Sequence, residues 1–149
     1  MKLYTIGFTK KTAKCFFEVL KKNKIDELVD VRLNNKSQLA GFAKGKDLEY
    51  FLDIICGIKY CYEESFAPTK TLLDDWKKGI ISWDVYEKRY KELLEKRLAL
   101  NTFKKKYTNK KNICFLCSEA TVEHCHRRLL AEYIVENCEP IVDNEIIHL

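Results

Sequence analysis

Short segments of strand-forming residues alternate along this chain with segments whose apolar residues recur at helical spacing. Residues 2–8, "KLYTIGF", favour a strand, and residues 12–23, "TAKCFFEVLKKN", place their apolar side chains on one helical stripe. Strands joined through helices are typical of a parallel sheet with helices on both faces. The sequence therefore predicts an α/β fold, a three-layer Rossmann-like open sheet whose strands are mostly parallel.

The remaining segments continue the alternation. Further strands are predicted at residues 27–33, 58–64, 112–120 and 145–149, and further helices at 47–56 and 123–137. A helical insertion at about residues 67–107 precedes the fourth strand. In it, Pro68 and Thr69 begin a short helix that Gly79 ends, and Ser82 caps a long helix that reaches Tyr107. No linker-like stretch divides the 149 residues, so one domain is predicted.

The composition favours a protein of the cytoplasm. The apolar run in "MKLYTIGF" is too short for a signal peptide, and no stretch approaches the roughly 20 apolar residues of a membrane span. We therefore expect no membrane contact, and reduced thiols for the seven cysteines. The net charge of +5 permits a polyanionic partner without requiring one.

The candidate functional residues cluster where this fold places ligands. Open parallel sheets bind ligands beyond the carboxyl ends of their strands. In this chain those ends, and the start of the helix after the fourth strand, carry polar, charged or nucleophilic side chains: Thr9, Asp30, Arg32, Cys117, Glu119, His124, Cys125, His126, Arg127 and Arg128. We expect these segments, which are far apart in the sequence, to meet at one edge of the sheet.

An anion-binding role is predicted for part of this set. If Thr121 caps the last helix, the free backbone N–H groups of its first turn attract an anion. Arg32 and Arg127 would hold the anion, with Thr9 and Arg128 nearby, although Arg128 can instead pair with a glutamate one turn further along. The predicted ligand is an anionic small molecule, a nucleotide or the end of a nucleic-acid strand.

The rest of the set suits catalysis. The candidate catalytic residues are Asp30, Glu119, Cys117, Cys125, His124 and His126. Carboxylates and imidazoles can transfer protons, and a thiol at a strand end or helix start can have a lowered pKa. Asp30 has an alternative structural role, as a buried carboxylate paired with Arg32 or Arg127.

Two other interpretations of this region stay open. The first is a polar helix end in which Cys125 merely fills the core. The second is a zinc site built from Cys117, His124, Cys125 and His126. The spacing disfavours zinc, because adjacent helical residues diverge by about 100° and cannot all face one ion. No cofactor is therefore predicted, and zinc is kept as the lesser alternative.

A basic cluster supports a different function. Residues 103–111, "FKKKYTNKK", can contact nucleic-acid phosphates, which would make the chain a non-catalytic nucleic-acid-binding module. The same lysines also suit a solvated helix end. The aromatic seam of the long helix, which includes Trp83, Tyr86 and Tyr90, is interpreted as core or as a homodimer contact rather than as a stacking platform.

The motifs described so far resemble the domain-of-unknown-function family 488 over nearly the whole chain. "YTIGF" is similar to that family's N-terminal "YTIGHS", "LVDVR" to its second strand, and residues 67–90 to an insertion in one branch. "CFLCSEATVEHCHRRLLAEYI" resembles the hallmark segment, with these residues in register: Cys117, Glu119, His124, Cys125, His126 and Arg127. The resemblance implies a Rossmann-like α/β fold and no established activity, so it transfers no catalytic role.

Three departures from the family pattern indicate a divergent member. Phe8 and Thr9 stand where the family often has His-Ser. Asn35 stands where it often has proline, and Ser37-Gln38 where it often has Ser-Arg. The loss of that histidine and that arginine removes a proton carrier and a cation from the predicted pocket.

Overall fold

Five strands form a single sheet in the computed structural model, which describes residues 1–36 and 40–149. The strands are β1 (Lys2–Gly7), β2 (Glu27–Asp30), β3 (Lys59–Tyr62), β4 (Asn112–Cys117) and β5 (Ile146–His148). Their order across the sheet is β3-β2-β4-β1-β5, and every neighbouring pair is parallel. The predicted α/β class with an open parallel sheet is therefore confirmed.

Six α-helices flank the described sheet. They are α1 (Ala13–Lys22), α2 (Gly45–Phe51), α3 (Lys70–Lys77), α4 (Trp83–Lys96), α5 (Ala99–Tyr107) and α6 (His126–Asn137). A π-helical segment, Leu52–Cys56, continues α2, and short 3₁₀ turns cover Gly41–Ala43 and Glu64–Phe66. The side chains of Thr12, Thr69 and Ser82 each accept a backbone N–H three residues on, so local caps set where α1, α3 and α4 begin.

Apolar side chains cover both faces of the sheet. On one face Phe16, Leu20 and Leu48, from α1 and α2, are buried in one cluster. On the other face a larger cluster includes Tyr90 of α4 and Leu130 of α6, together with residues of α5. This three-layer arrangement leaves the carboxyl edge of the sheet as the open side between the layers.

The insertion contains three helices where two were expected. The sequence predicts one helix from Ser82 to Tyr107, but α4 ends at Lys96 and α5 begins at Ala99. Leu98 lies between them in the left-handed conformation, with φ of 54°. The half-buried guanidinium of Arg97 donates to the carbonyl oxygens of Ser65 and Ala67, which anchors this break to the loop after β3.

The last helix begins later than predicted. The sequence interpretation places Thr121 at the cap and starts the helix at 123, whereas α6 starts at His126 and Cys125 occupies the N-cap position in an extended conformation. Arg128 donates to the carbonyl oxygens of Val122 and Glu123, which holds those residues in a turn outside the helix. This correction changes the expected side-chain directions of Glu123, His124 and Cys125, which lie before the helix rather than in its first turn.

Two remaining predictions concern particular segments. The departure at Ser37 and Gln38 lies outside the described residues. Across residues 1–36 and 40–149, each helix is too short or too polar to cross a bilayer.

Candidate functional site

A cleft of about 650 Å³ opens at the carboxyl edge of the sheet. It is lined by residues from the ends of β1, β2 and β4, the start of α6, and the insertion: Thr9, Arg32, Leu33, Asn34, Leu73, Trp76, Lys77, Trp83, Tyr86, Cys117, Ser118, Glu119, Thr121, His124, Cys125 and His126. Its size lies within the range of small-molecule sites. The sequence segments expected to converge therefore share one cleft.

The insertion forms an aromatic wall on this cleft. The indoles of Trp76 and Trp83 lie 5.2 Å apart between ring centroids, and Trp83 stacks on Tyr86 at 4.9 Å. The ring of His124 contacts both indoles, at 5.3 and 5.0 Å. The sequence interpretation of this seam as core is confirmed for Tyr86 and Tyr90, which are buried, and Trp83 packs against the same core. Trp83 and Tyr86 in addition line the cleft.

Asp30 and Arg32 form a buried ion pair at the end of β2. Arg32 donates through Nε to Oδ1 at 2.8 Å and through Nη2 to Oδ2 at 2.6 Å, and its backbone N–H also donates to Oδ1. The hydroxyl of Tyr60 donates to Oδ2 at 2.7 Å. The Asp30 side chain is fully buried and does not line the cleft. Its carboxylate thus has the structural role that was the alternative to proton transfer.

One polar atom of Arg32 has no hydrogen-bond partner within residues 1–36 and 40–149. Its Nη1 is buried and has no hydrogen-bond partner among the described residues, although the side chain is part of the cleft wall. Burial opposes the charge of Arg32, but the hydrogen bonds and negative charge of Asp30 outweigh it, so the pKa of Arg32 lies above its ordinary value. The ring of Phe8 lies 5.2 Å from its Cζ atom. The guanidinium is therefore charged, rigid and incompletely satisfied.

Three potential metal-binding side chains lie together at the floor of the cleft. One ligand atom each from Cys117, Cys125 and His126 lies within 4.8 Å of the others, and all three residues are buried. His126 places Nδ1 at 3.8 Å from the Cys117 sulfur and Nε2 at 2.9 Å from the carbonyl oxygen of Val31. We refer to these three residues as the Cys/His cluster.

The two sulfurs of the cluster differ in acidity. The hydrogen bond with Cys125 lowers the pKa of Cys117, helped by backbone N–H groups and the charge of Arg127, although burial opposes them. The same hydrogen bond, together with burial, raises the pKa of Cys125 well above its ordinary value. Of the two predicted nucleophiles, only Cys117 therefore has the lowered pKa that was expected.

Arg127 is buried behind the Cys/His cluster and contacts the loop after β4. It is 1% exposed, and its Nη1 donates to the carbonyl oxygen of Glu119 at 2.7 Å and to the Cys125 sulfur at 3.3 Å. It does not line the cleft. A Cβ at Gly7 would lie 1.8 Å from the Glu119 oxygen, so this close approach requires glycine at the end of β1. Arg127 therefore holds the loop after β4 rather than facing a ligand.

The other predicted residues divide between the cleft and its surroundings. Arg128 pairs with Glu132 at 2.7 Å and does not line the cleft. Thr9, Glu119 and His124 line it and are exposed. Thus Thr9 and Arg32 are the predicted anion-binding residues that reach the cleft, and Cys117, Glu119, His124, Cys125 and His126 are the predicted catalytic residues that do.

The sequence interpretation missed the contribution of the insertion. Trp76 was not singled out, although a tryptophan beside the charged residues Asp74, Asp75 and Lys77 is a signal that could have drawn attention to it. A second groove, of about 450 Å³, lies between α1 and the π-helical segment. Its lining is largely apolar, with Phe17 and Phe42 prominent, and the described residues that form it include no buried charge or cluster of nucleophiles, so the candidate site is the cleft.

The fold and the cleft define an α/β protein with an open parallel sheet and a polar site at its carboxyl edge. A search against protein families matches residues 12–134 to the family described as domain of unknown function DUF488, and the chain belongs to that family. A search of curated proteins and a search of solved structures each returned no match.

Proposed function

We propose that this protein is an enzyme whose cleft binds a planar anionic ligand, a nucleotide or the end of a nucleic-acid strand. The observation that carries the proposal is Arg32, whose side chain lines the same cleft as the aromatic wall and whose buried Nη1 lacks a partner among the described residues. A buried donor of this kind needs an acceptor, because leaving it unsatisfied costs about 1–3 kcal/mol.

Charge favours an anionic acceptor. Among the described residues that line the cleft, Arg32 and Lys77 are cationic and Glu119 is the single carboxylate. The carboxylate of Asp30 leaves Nη1 uncovered, because it binds Nε and Nη2. A phosphate oxygen accepting from Nη1 would complete the guanidinium's contacts with an ionised partner, the stronger type of hydrogen bond.

The aromatic wall favours a planar group beside that anion. Trp76 and Trp83 are partly exposed, and both line the cleft. A nucleobase stacked on such a ring contributes about 1–3 kcal/mol, largely independent of base identity. A ligand with both a ring and a phosphate would use both sides of the cleft.

The reactive groups lie at the floor of the same cleft. His126 is oriented by Val31, because a proton on Nε2 donated to that carbonyl leaves the Nδ1 lone pair directed toward Cys117. Cys117 and His126 therefore stand as a sulfur and a nitrogen base within reach of a bound ligand. Glu119 is an exposed carboxylate at the rim that can exchange protons with solvent.

The basic cluster at residues 103–111 gives weaker support to the competing function, a non-catalytic nucleic-acid-binding module. Lys106 is paired with Glu63, and Lys110 approaches Glu27 at 3.6 Å. These pairs remove charge that a phosphate would otherwise meet. We keep a nucleic-acid-binding module as an outcome of the test rather than as a second proposal.

We also propose a reducing compartment, the cytoplasm, as the location of the protein. All seven cysteines are free thiols, including the two neighbouring sulfurs of Cys117 and Cys125. A reducing environment keeps such neighbouring thiols from oxidising.

The test is binding of nucleoside mono- and triphosphates and short single-stranded oligonucleotides, measured by isothermal titration calorimetry. Trp76→Leu should weaken binding by about 10-fold or more, since it removes the stacking surface. Arg32→Lys should also weaken binding, because lysine keeps the charge beside Asp30 but loses Nη1. The matched control is Lys104→Gln, a surface charge on α5 that should leave nucleotide affinity unchanged.

Circular dichroism and thermal unfolding of each variant establish that it is folded. Binding that survives Trp76→Leu and Arg32→Lys but is lost with Lys104→Gln would replace the proposal with the nucleic-acid-binding module. If the wild-type protein binds none of these ligands, the proposed function is overturned. For catalysis, mass spectrometry of the bound nucleotide should reveal a product that Cys117→Ser does not form.

A further inference from the structure

We propose that the Cys/His cluster is a binding site for Zn²⁺, with three protein ligands and a fourth position open to the cleft. The ligands are the sulfurs of Cys117 and Cys125 and the Nδ1 atom of His126, which lie within 4.8 Å of one another. The zinc site uses Cys117 and His126, to which the proposed function assigns catalysis, whereas nucleotide binding depends on Arg32 and the aromatic wall. Metal binding and nucleotide binding can therefore each fail without the other.

The measured separations suit a tetrahedral zinc ion. With Zn–S of about 2.3 Å and Zn–N of about 2.0–2.1 Å, the sulfur and nitrogen ligands of one ion lie about 3.6 Å apart. The Cys117 sulfur and His126 Nδ1 are 3.8 Å apart. Two tetrahedral thiolates on zinc lie about 3.8 Å apart, and the limit of 4.8 Å brings the two sulfurs within reach of that value by small side-chain rotations.

His126 already has the orientation of a zinc ligand. A metal-binding histidine usually donates its other ring N–H to a carbonyl or carboxylate, which fixes the tautomer and directs the free lone pair at the ion. Here Nε2 lies 2.9 Å from the Val31 carbonyl oxygen, so Nδ1 is the lone pair that faces the sulfurs. The ring is 6% exposed and packs edge-on against Tyr90 at 5.8 Å, which limits its rotation.

The backbone conformation of Cys125 removes the argument from sequence spacing against a zinc site. Two consecutive residues within a helix cannot face one ion, but Cys125 is extended, with φ of −134° and ψ of 132°, and helical geometry begins only at His126. Cys125 and His126 can therefore direct their side chains to the same point. Cys117 approaches from the end of β4, so one strand and one helix start supply the three ligands.

Arg127 complements the charge of a thiolate pair. Its Nη1 donates to the Cys125 sulfur at 3.3 Å, and such N–H···S bonds to metal-bound thiolates are the outer contacts that hold ligands in place. A zinc ion with two thiolates and a neutral imidazole carries no net charge. The Arg127 cation beside it then favours a fourth ligand that is anionic.

The open position gives the site a chemical role. All three ligands line the cleft, so a water molecule or a ligand oxygen can reach the fourth position. Zn²⁺ bound with an open position acts as a Lewis acid toward such an oxygen. Each thiol that coordinates loses its proton to solvent, so metal uptake releases protons and is weakened by acid.

The experiment titrates reduced, metal-free protein with Co²⁺, which reports tetrahedral thiolate coordination through its absorption bands. Wild-type protein should give a thiolate-to-cobalt charge-transfer band and intense visible bands that zinc then abolishes. Elemental analysis of protein prepared with zinc should find about one ion per chain. Cys125→Ser and His126→Asn should lose the charge-transfer intensity in part or in full and bind no stoichiometric zinc.

Matched controls separate coordination from general thiol or imidazole effects. Cys15→Ser changes an exposed cysteine on α1, and His124→Gln changes a cleft histidine outside the cluster; both should keep the wild-type cobalt spectrum. Trp76→Leu should also keep it while losing nucleotide affinity. Circular dichroism confirms the fold of each variant.

Two results would overturn the zinc site. One is wild-type protein that shows no cobalt bands at excess Co²⁺ and retains no zinc. The other is a spectrum unchanged in both cluster variants. Nucleotide binding without metal would then leave the proposed function standing on the thiol and imidazole alone, whereas metal binding without nucleotide affinity would leave the zinc site standing by itself.

Discussion

Replacing Gly7 with alanine tests how the end of β1 supports the candidate site. The added Cβ would lie 1.8 Å from the carbonyl oxygen of Glu119 and 3.2 Å from Arg127 Nη1. Since Cβ contacts under 3.0 Å do not occur in practice, the Glu119 carbonyl must move away from β1. That carbonyl is the acceptor for Arg127 at 2.7 Å, so the movement also breaks a partly buried, charged hydrogen bond.

Two energetic costs set the expected loss of stability in Gly7→Ala. Forcing a methyl group into a well-packed region costs about 1–3 kcal/mol. Loss of a hydrogen bond to a charged group costs about 1.5–3 kcal/mol. The free energy of unfolding of Gly7→Ala should therefore fall by about 2.5–6 kcal/mol, a large fraction of the stability of a typical domain.

Urea unfolding followed by circular dichroism measures this loss. Gly41→Ala is the matched control, because its Cβ would meet no atom of the described residues within 4 Å, and it should change stability by no more than about 0.5 kcal/mol. The cobalt spectrum of Gly7→Ala gives a second readout, because Arg127 contacts both the Glu119 carbonyl and the Cys125 sulfur. Displacement of Glu119 frees Arg127 from the loop that carries Cys125, so this spectrum should change. If Gly7→Ala is as stable as Gly41→Ala, the account of Arg127 and this loop is wrong.

Two further predictions concern stability away from the cleft. Leu98→Gly should raise the free energy of unfolding by about 0.5–1 kcal/mol in thermal melts, because glycine relieves the strain of a φ of 54° at a largely exposed side chain; a lower stability would contradict this. Glu63→Gln should lower it by about 1–3 kcal/mol at neutral pH, since buried Glu63 accepts hydrogen bonds from Lys106, Ser65 and Tyr107. Burial opposes the charge of Glu63, but the bonds from Lys106 and Ser65 outweigh it, so its pKa is lowered on folding. The stabilisation from ionised Glu63 is therefore fully present above the unfolded pKa of about 4.3, and it is lost as the pH falls through the lower pKa of the folded protein. The urea unfolding curves of the wild-type protein and Glu63→Gln should therefore converge as the pH is lowered. A stability difference that grows in acid would refute this prediction.

Local chemistry explains which parts of the fold were predictable. Thr12, Thr69 and Ser82 each cap a helix through a backbone N–H only three residues away, so the starts of α1, α3 and α4 can be anticipated from short motifs. Gly57 likewise ends the π-helical segment in the left-handed conformation. The break at Leu98 was not predictable in this way, because Arg97 is held there by carbonyl groups about 30 residues earlier.

The same distinction applies to the site. The fold rule placed the carboxyl ends of β1, β2 and β4 together, and Thr9, Arg32 and Cys117 do line one cleft. It did not assign roles, because these depend on side-chain partners. Asp30 is removed from the cleft by its pairing with Arg32 and Tyr60, contacts that a strand-end position does not reveal.

Alternating hydrophobic periods along the chain were enough to specify the parallel α/β layers and the edge at which a ligand would bind, because each period reflects burial of one local segment. Packing between distant segments settled the rest. It set the aromatic wall from Trp76 and Trp83, the turn that Arg128 holds before α6, and the extended Cys125 that brings two sulfurs and an imidazole together. Directions of side chains in space depend on such long-range contacts, and spacing along the sequence does not encode them.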